Sequence, residues 1–511
     1  MDPHRVGYNP QRMDNNNETE VAPRRRFRKR WVLWGFGLLW AAVGAWNTIR
    51  PMPPGTAVRS APAMLDPQNV QFLTDLTYND PRGGTLHEHR IFDEVLHIVD
   101  EAETFIVADF FLFNDLMGAA EAPHRALSRE LADRLIARKA AMPELTVLLI
   151  TDPINDVYGS VPSPLLDDLR RAGIQVVVTD LRELPDSNPA YSALWRLFGQ
   201  WFGNSPGAGS LPNPFDTEPA KISLRSWLAL LNFKANHRKL IVADRADAQL
   251  VALVTSVNPH DGSSGHSNVA LRFVGALALD MVTSELGIAR FSGWNGHILA
   301  AAPEAPPADP TKAVQLAYVT EKAIRDHLLD AIDTSRNGDS IRIATFYLAD
   351  RGIVSGLLRA AQRNVTVQLI LDPNRDAFGR QKDGVPNRPV ANELVTQSGE
   401  RIQVRWYRTH GEQFHTKLAL ITHGDRLIAS LGSANLTRRN IGNYNLEANV
   451  AVAVSRQSPL ATQMEAYFDR LWNNQGPPGT EFTASFGAYQ DTGRTRYWRY
   501  RFMEATGLST F

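Results

Sequence analysis

The chain has 511 residues, 43% of them hydrophobic and 21% charged, and no cysteine. That length exceeds what one hydrophobic core holds, and the lack of cysteine excludes a disulfide framework, a thiolate metal site and a cysteine nucleophile. Cations and anions balance at 54 each, but residues 1–50 hold nine Lys/Arg and four Asp/Glu, which leaves 45 against 50 in the remainder and argues against broad nucleic-acid binding.

Residues 1–30 form a polar, basic tail that ends with six cations in the seven positions 24–30. Residues 31–49 follow without a charge, and Trp31, Trp34, Trp40 and Trp46 suit the two interfaces of a bilayer. The length reaches the lower end of the spanning range, so this stretch is predicted to be a transmembrane signal anchor. The cations before it place the N-terminus in the cytoplasm and the body across the membrane, in the periplasm of a bacterium. A cleaved signal peptide is the rival, with residues 43–45 as the small-residue site, although a thirty-residue leader is long for one. Proline-rich residues 50–72 read as a spacer holding the body off the membrane.

The body then alternates helical and strand periodicity. A helix is predicted over 91–102, where Ile91, Val95, Leu96 and Val99 share a face, followed by a strand over 104–112, a helix over 127–141 and a buried strand over 145–151 that ends in Asp152-Pro153. A helix over 165–172 and a strand over 174–179 complete the series. The same order returns as a helix over 322–332, a strand over 340–348, a strand over 365–371 ending in Asp372-Pro373, a helix over 392–398 and a strand over 402–407. The expected fold is therefore α/β, with two homologous lobes at 73–299 and 313–475, each a mixed sheet flanked by helices, joined by an Ala/Pro linker at 300–312.

The lobes differ in one place. From Asp152 to His237 is 85 residues, against 43 from Asp372 to His415, so the first lobe carries an aromatic insertion at about 183–233. Trp195, Phe198, Trp201 and Phe202 share one helical face, which suits either a cap on the lobe's own core or a membrane-dipping lid beside the site. Residues 476–511 form a basic aromatic tail, in which cations and aromatics interleave from Arg494 to Phe502. It suits an anionic phosphate surface or a docked element with snorkelling arginines.

One constellation occurs in both lobes. His237-Arg238-Lys239 opens an apolar run and is followed by Ser256-Val257-Asn258; His415-Thr416-Lys417 opens another and is followed by Ser433-Ala434-Asn435. The His-to-Asn spacing is 21 positions in the first copy and 20 in the second, with the copies 178 residues apart. One neutral imidazole can attack phosphorus while the other protonates the leaving alkoxide, and two lysines and two asparagine amides can hold the charge on the non-bridging oxygens. Those groups suffice for two-step phosphodiester transfer through a covalent phosphohistidine, without a metal or other cofactor. His260, His266, His410 and His423 lie near the motifs and read as ordinary surface residues.

These motifs resemble the signature of the phospholipase D superfamily, His-x-Lys with Asp after four more residues and then Gly-Ser-x-Asn, and the resemblance spans residues 73–475. Its cardiolipin-synthase and phosphatidyltransferase members are the most similar. The resemblance implies an active site at a pseudo-two-fold interface, with His237, Lys239 and Asn258 as one half, His415, Lys417 and Asn435 as the other, and His237 as the nucleophile. It also implies supporting roles for Ser256 and Ser433 beside the site, for Glu447 as the acid that orients the partner histidine, and for the motif aspartate Asp244. Three departures stand out: Thr422 replaces the second Asp, Thr255 replaces the first Gly, and pairing Asn268-Val269-Ala270 with Asn449-Val450-Ala451 puts His266 where Glu447 stands.

The function implied is a membrane-anchored phospholipid phosphodiesterase or phosphatidyltransferase whose partner is a phospholipid in the bilayer. Two alternatives use the same chain differently: a membrane-anchored nuclease on single-stranded nucleic acid, which calls for a basic groove, and a catalytically inactive lipid-binding scaffold.

Overall fold

Short apolar runs bounded by turns form two sheets in the computed structural model, which describes residues 24–118, 124–215, 220–301, 309, 311–377 and 380–511. The first sheet has eight strands, in the spatial order Thr85–Glu88, Val70–Asn79, Asn268–Val274, Leu250–Thr255, Lys239–Asp244, Phe105–Phe110, Thr146–Thr151 and Gln175–Val178. The second has nine: Ala63–Leu65, Val314–Thr320, Ala448–Ser455, Arg426–Gly432, Lys417–His423, Ser340–Thr345, Thr366–Leu371, Ile402–Tyr407 and Thr483–Ser485. Apart from the outermost strands the two orders are the same. In each, the strand that opens with a motif lysine is antiparallel to both neighbours, and parallel pairing begins one strand further on. The chain is α/β with two lobes of one topology.

Central position explains the apolar character of the motif strands. Leu240, Ile241, Val242 and Ala243 are fully buried, because helices cover both faces of the sheet, with Ile91–Glu101 on one side and Leu277–Phe291 on the other. The lobes also share a core: Val254, Val269 and Leu271 of the first belong to one apolar cluster with Leu431, Ala448 and Val450 of the second.

The segment expected to be a spacer is stitched onto both lobes instead. Ala63–Leu65 adds an edge strand to the second sheet, and the Thr56 carbonyl accepts from Arg238 Nη2 of the first lobe at 2.9 Å and from Thr320 Oγ1 of the second at 2.9 Å. Proline freed this stretch from helix and sheet interiors; its remaining backbone groups found partners on the body. The first lobe's sheet accordingly begins at Val70.

One apolar helix, Arg24–Ile49, precedes the body; Lys29–Ile49 within it is long and apolar enough to cross a membrane, as an anchor or a signal sequence would be. It lies against the insertion: Trp40 Nε1 donates to the Ala190 carbonyl at 2.9 Å, and the Phe36 and Phe198 rings sit 6.0 Å apart. The insertion folds as two short helices, Pro189–Leu197 and Leu224–Leu230, with Trp201 and Phe202 about three-quarters and two-thirds exposed. The tail ends in the helix Arg494–Thr506, which docks on the second lobe through buried Tyr500, whose hydroxyl donates to the Ala349 carbonyl at 2.9 Å. Residues 1–23, and residues 302–308 and 310 of the stretch expected to link the lobes, fall outside the described residues.

Candidate active site

Each motif begins where its strand crosses into the other lobe. The residue before the first histidine, Asn236, bridges to Leu446, and the residue before the second, Phe414, bridges to Ser267. His237 N donates to the Leu446 carbonyl at 2.9 Å, and Ser267 N to the Gln413 carbonyl at 3.2 Å. The two histidines are thus fixed at the lobe interface by backbone bonds. An aspartate holds each approach: Asp152 Oδ2 accepts from Asn236 N at 2.7 Å and Asp372 Oδ2 from Phe414 N at 2.8 Å. These are the Asp-Pro aspartates that close the second strand of each lobe. Burial raises the pKa of both to about 7.

The histidines then receive unlike partners. His237 Nδ1 lies 2.8 Å from Glu447 Oε1 of the other lobe. His415 Nδ1 lies 3.2 Å from Asn268 Oδ1, again of the other lobe. Ser433 Oγ donates to Glu447 Oε2, and Ser256 Oγ donates to Asn268 Oδ1 at 2.9 Å, so the motif serines position the orienting groups rather than face the reaction. Asn440 Nδ2 also donates to Glu447 Oε1.

This pairing corrects the expected register. Ser256 N donates to the Val269 carbonyl and Ser433 N to the Ala448 carbonyl, both across the same turn, so Asn268 and not His266 occupies the place of Glu447. The apparent Asn-Val-Ala match is two residues out of step, which strand alternation hides because both registers put the same parity on each face. His266 and His260, read from the sequence as surface residues, are buried in the wall of the site; His266 N δ1 accepts from Gln413 N at 3.3 Å and its ring lies 5.9 Å from that of His415.

Electrostatics keep the resting imidazoles neutral. Burial lowers the His237 pKa to about 4 against the pull of Glu447, and burial with Lys417 lowers that of His415 well below the usual range. Burial would raise Glu447, but His237 and Lys239 hold it low. Lys239 Nζ donates to the His237 carbonyl at 2.7 Å and Lys417 Nζ to the His415 carbonyl at 2.8 Å; each ammonium sits over an aromatic ring, Phe111 at 5.1 Å and Phe346 at 5.5 Å. Burial brings Lys239 down to about 7. A buried cluster of cations and neutral imidazoles is a site that a bound anion stabilises.

One other expected residue, Asp244, falls elsewhere. Asp244 ends the six-residue strand that Lys239 begins, about 17 Å away at 3.3–3.4 Å per residue. There it accepts from Thr104 N at 2.9 Å, Phe105 N at 3.0 Å and Thr104 Oγ1 at 2.7 Å, fastening the start of the adjacent strand. Thr422 does the same work in the second lobe, its hydroxyl accepting from Ser340 N at 2.7 Å, which accounts for the missing second aspartate. The missing glycine has a local cause too. Gly432 sits at φ 153° with the Ala448 carbonyl 2.3 Å from where a Cβ would be, whereas Thr255 is not at positive φ and its hydroxyl donates to the Val269 carbonyl at 3.0 Å.

A residue that the motif treats as arbitrary matters here. Arg238 is fully buried and donates to Glu285 Oε1 and Glu321 Oε1, each at 2.7 Å, while Glu321 Oε1 accepts from Glu447 N at 3.2 Å. A cation heading an otherwise apolar strand was the available signal, since a buried arginine requires carboxylate partners.

His237, Asn258, His415 and Asn435 line one cavity of about 640 Å³. Most of its wall is apolar: Phe111, Ile154, Phe346 and Tyr347 from the lobes, and Phe215, Trp227, Leu230 and Phe233 from the insertion and the stretch that follows it.

Residues 328–472 match the family model described as cardiolipin synthase, PLD-like domain. Over those residues the second lobe is similar to a phospholipase D-like domain. The first lobe repeats the topology of the second, as the matching strand orders show. Among solved structures, phosphatidylserine synthase of Haemophilus influenzae Rd KW20 is similar over 92% of this chain and 100% of its own, at 10% identity and a TM-score of 0.55, a likeness of fold. A polyphosphate kinase from Porphyromonas gingivalis is similar over 85% of this chain and 53% of its own, at 12% identity and a TM-score of 0.41. The phospholipase D family member Nuc from Salmonella typhimurium is similar over 35% of this chain and 98% of its own, at 22% identity and a TM-score of 0.25. A comparison with curated protein sequences gives no match.

Proposed function

We propose that this protein transfers the phosphatidyl group of a phospholipid to an alcohol or to water, through a covalent phosphohistidine on His237. The observation that carries the reading is the meeting of His237 and Asn258 with His415 and Asn435 in one cavity whose walls are largely apolar. A phosphodiester head fits the lysines and asparagines, and the glycerol and the first part of the acyl chains fit Phe215, Trp227 and Leu230. A slightly acidic body and this apolar wall favour lipid over nucleic acid.

The neighbours of each histidine support this division of roles. With Nδ1 turned to Glu447, His237 presents Nε2 to phosphorus, and the carboxylate stabilises the positive charge that develops on the ring. The N–P bond forms as the P–O bond to the leaving alcohol breaks, and that oxygen takes a proton from His415. The phosphate anion of the bound substrate offsets the lysines that otherwise lower the His415 pKa, so substrate binding helps to place that proton. The acceptor oxygen then attacks phosphorus, His415 takes its proton, and the N–P bond to His237 breaks. Lys239, Lys417, Asn258 and Asn435 hold the non-bridging oxygens.

The helix at 29–49 and its contact with the insertion support a membrane anchor that keeps the cavity beside the bilayer. On this reading the N-terminus is cytoplasmic and the body lies across the membrane.

The test incubates the full chain, and its H237A variant, with phosphatidylglycerol vesicles and separately with labelled single-stranded DNA. Cardiolipin or phosphatidic acid formed by the wild type alone is the expected result, with an intermediate quenched in denaturant at alkaline pH, where the N–P bond survives, carrying phosphorus on His237. Shortened DNA beside untouched lipid, or lipid bound and neither diester cut, overturns it.

A further inference from the structure

Three imidazoles gather outside the reacting pair, at the edge of the first sheet. His87 and His89 stand two residues apart on the outer strand Thr85–Glu88 and just beyond it, and His124 reaches them from a separate stretch of chain; one ring nitrogen from each lies within 4.8 Å of the others. The His87 and His124 rings stack at 3.7 Å, and both lie within 5.2 Å of the His89 ring.

What turns proximity into a site is the group behind it. The buried Thr77 hydroxyl donates to the Gly265 carbonyl at 2.6 Å, so toward the imidazoles it acts as an acceptor. His87 Nδ1 and His89 Nε2 both lie 3.0 Å from that oxygen. Each ring therefore donates N–H to Thr77 and keeps a lone pair on its other nitrogen. Metal-ligating histidines are held in just this manner, with the second ring nitrogen bonded to an outer acceptor that sets tautomer and orientation.

We propose that His87, His89 and His124 bind one divalent transition-metal ion, with zinc as the expected occupant. Imidazole is a preferred ligand of this class, and three such ligands leave a fourth position for water. Zn–N bonds of about 2.0–2.1 Å set tetrahedral ligand nitrogens about 3.4 Å apart, so the cluster must draw in by at most about 1.4 Å. A metal lies in the plane of each ring it binds, so His124, the exposed member, swings out of its stack on His87 to coordinate.

The ion has a structural consequence. Thr77 N donates to Ser267 Oγ at 3.0 Å and Arg125 N to Ser264 Oγ at 3.1 Å, so the residue that holds His87 and His89 and the neighbour of His124 are already bonded to the loop that places His260 and His266 in the wall of the cavity. Closing them around one ion braces that wall without giving the ion a step in the reaction.

To test this, the full chain is purified in detergent without a polyhistidine tag, stripped with chelator, and titrated with zinc alone against a chromophoric competitor and with cobalt(II) alone for its visible spectrum. The wild type is expected to take up one equivalent of zinc, with affinity more than about tenfold weaker in H124A and in H87A. Cobalt bands of tetrahedral intensity should vanish in the same variants, and zinc should raise the Tm of the wild type alone. Because His124 is exposed, H124A keeps its fold, which circular dichroism verifies. Less than one equivalent bound by the wild type, or equal affinity in wild type and H124A, overturns the assignment.

Discussion

His237 and His415 are the same side chain made chemically unlike by one neighbour each. Glu447 gives the first a charge partner, while Asn268 gives the second an oriented dipole without charge. The carboxylate suits a ring that must carry positive charge through a covalent intermediate; the amide suits one that must give its proton away. E447Q keeps the shape and removes the charge, and is expected to lower the turnover rate by about 10²–10⁴-fold. N268D adds a charge where there was none, and should move the alkaline limb of the pH–rate profile up by about one to three units, because an opposite charge favours the protonated imidazole. Equal effects of the two substitutions on rate and profile would reverse the assignment of nucleophile and acid.

Among the elements, the motif strands do two jobs at opposite ends. Lys239 and Lys417 hold their ammonium groups over Phe111 and Phe346 of the cavity wall, whereas Asp244 and Thr422 fasten the neighbouring strand at the far end. D244A leaves the backbone donors of Thr104 and Phe105 short of their acceptor, a loss of about 1–3 kcal/mol in stability, read from the denaturant midpoint. Activity per folded molecule should stay at the wild-type level, and D244T should recover part of the loss, since a threonine already fills this position in the second lobe. A fall in turnover that outlasts correction for folded protein would bring Asp244 back to the chemistry. Trp227 and Leu230 line the cavity while Trp201 and Phe202 face outward, beside a helix fit for a bilayer.

At the scale of the whole molecule, buried histidines make stability depend on pH. The folded pKa values of His237 and His260 are about 4 and that of His266 about 3, each below the ordinary value of 6.5. The unfolded chain takes up these protons first as pH falls, so the histidines' contribution is fully present above about 6.5 and declines from there toward 4, by about 1.4 kcal/mol per pH unit for each histidine, while the buried Asp152 and Asp372 carboxyls, raised to about 7, act in the opposite sense over the same range. Between pH 7 and 5 the Tm of the wild type should therefore fall relative to that of H266N. A difference that holds constant over that range would mean that the His266 ring is protonated in the fold. Because one apolar cluster spans both lobes and residues 50–72 are bonded to each, unfolding should register as a shared transition rather than one per lobe.

Periodicity and repetition were enough to read the α/β class, the duplicated lobes and the two His-x-Lys halves, because strand alternation and motif spacing are local properties of the chain. The apolar helix before the body was legible for the same reason. Contacts between distant segments were not. Whether Asn268 or His266 faces His415 turns on a two-residue register that side-chain parity does not distinguish, and it was decided by the Ser256–Val269 backbone bond. That Arg238 is buried, that Asp244 stands away from the site and that residues 50–72 strap the lobes together depend on partners roughly 80 to 180 positions away or more. So does the gathering of His87, His89 and His124: two-residue spacing keeps the first two together at the end of a strand, and only the folding of the chain brought the third beside them.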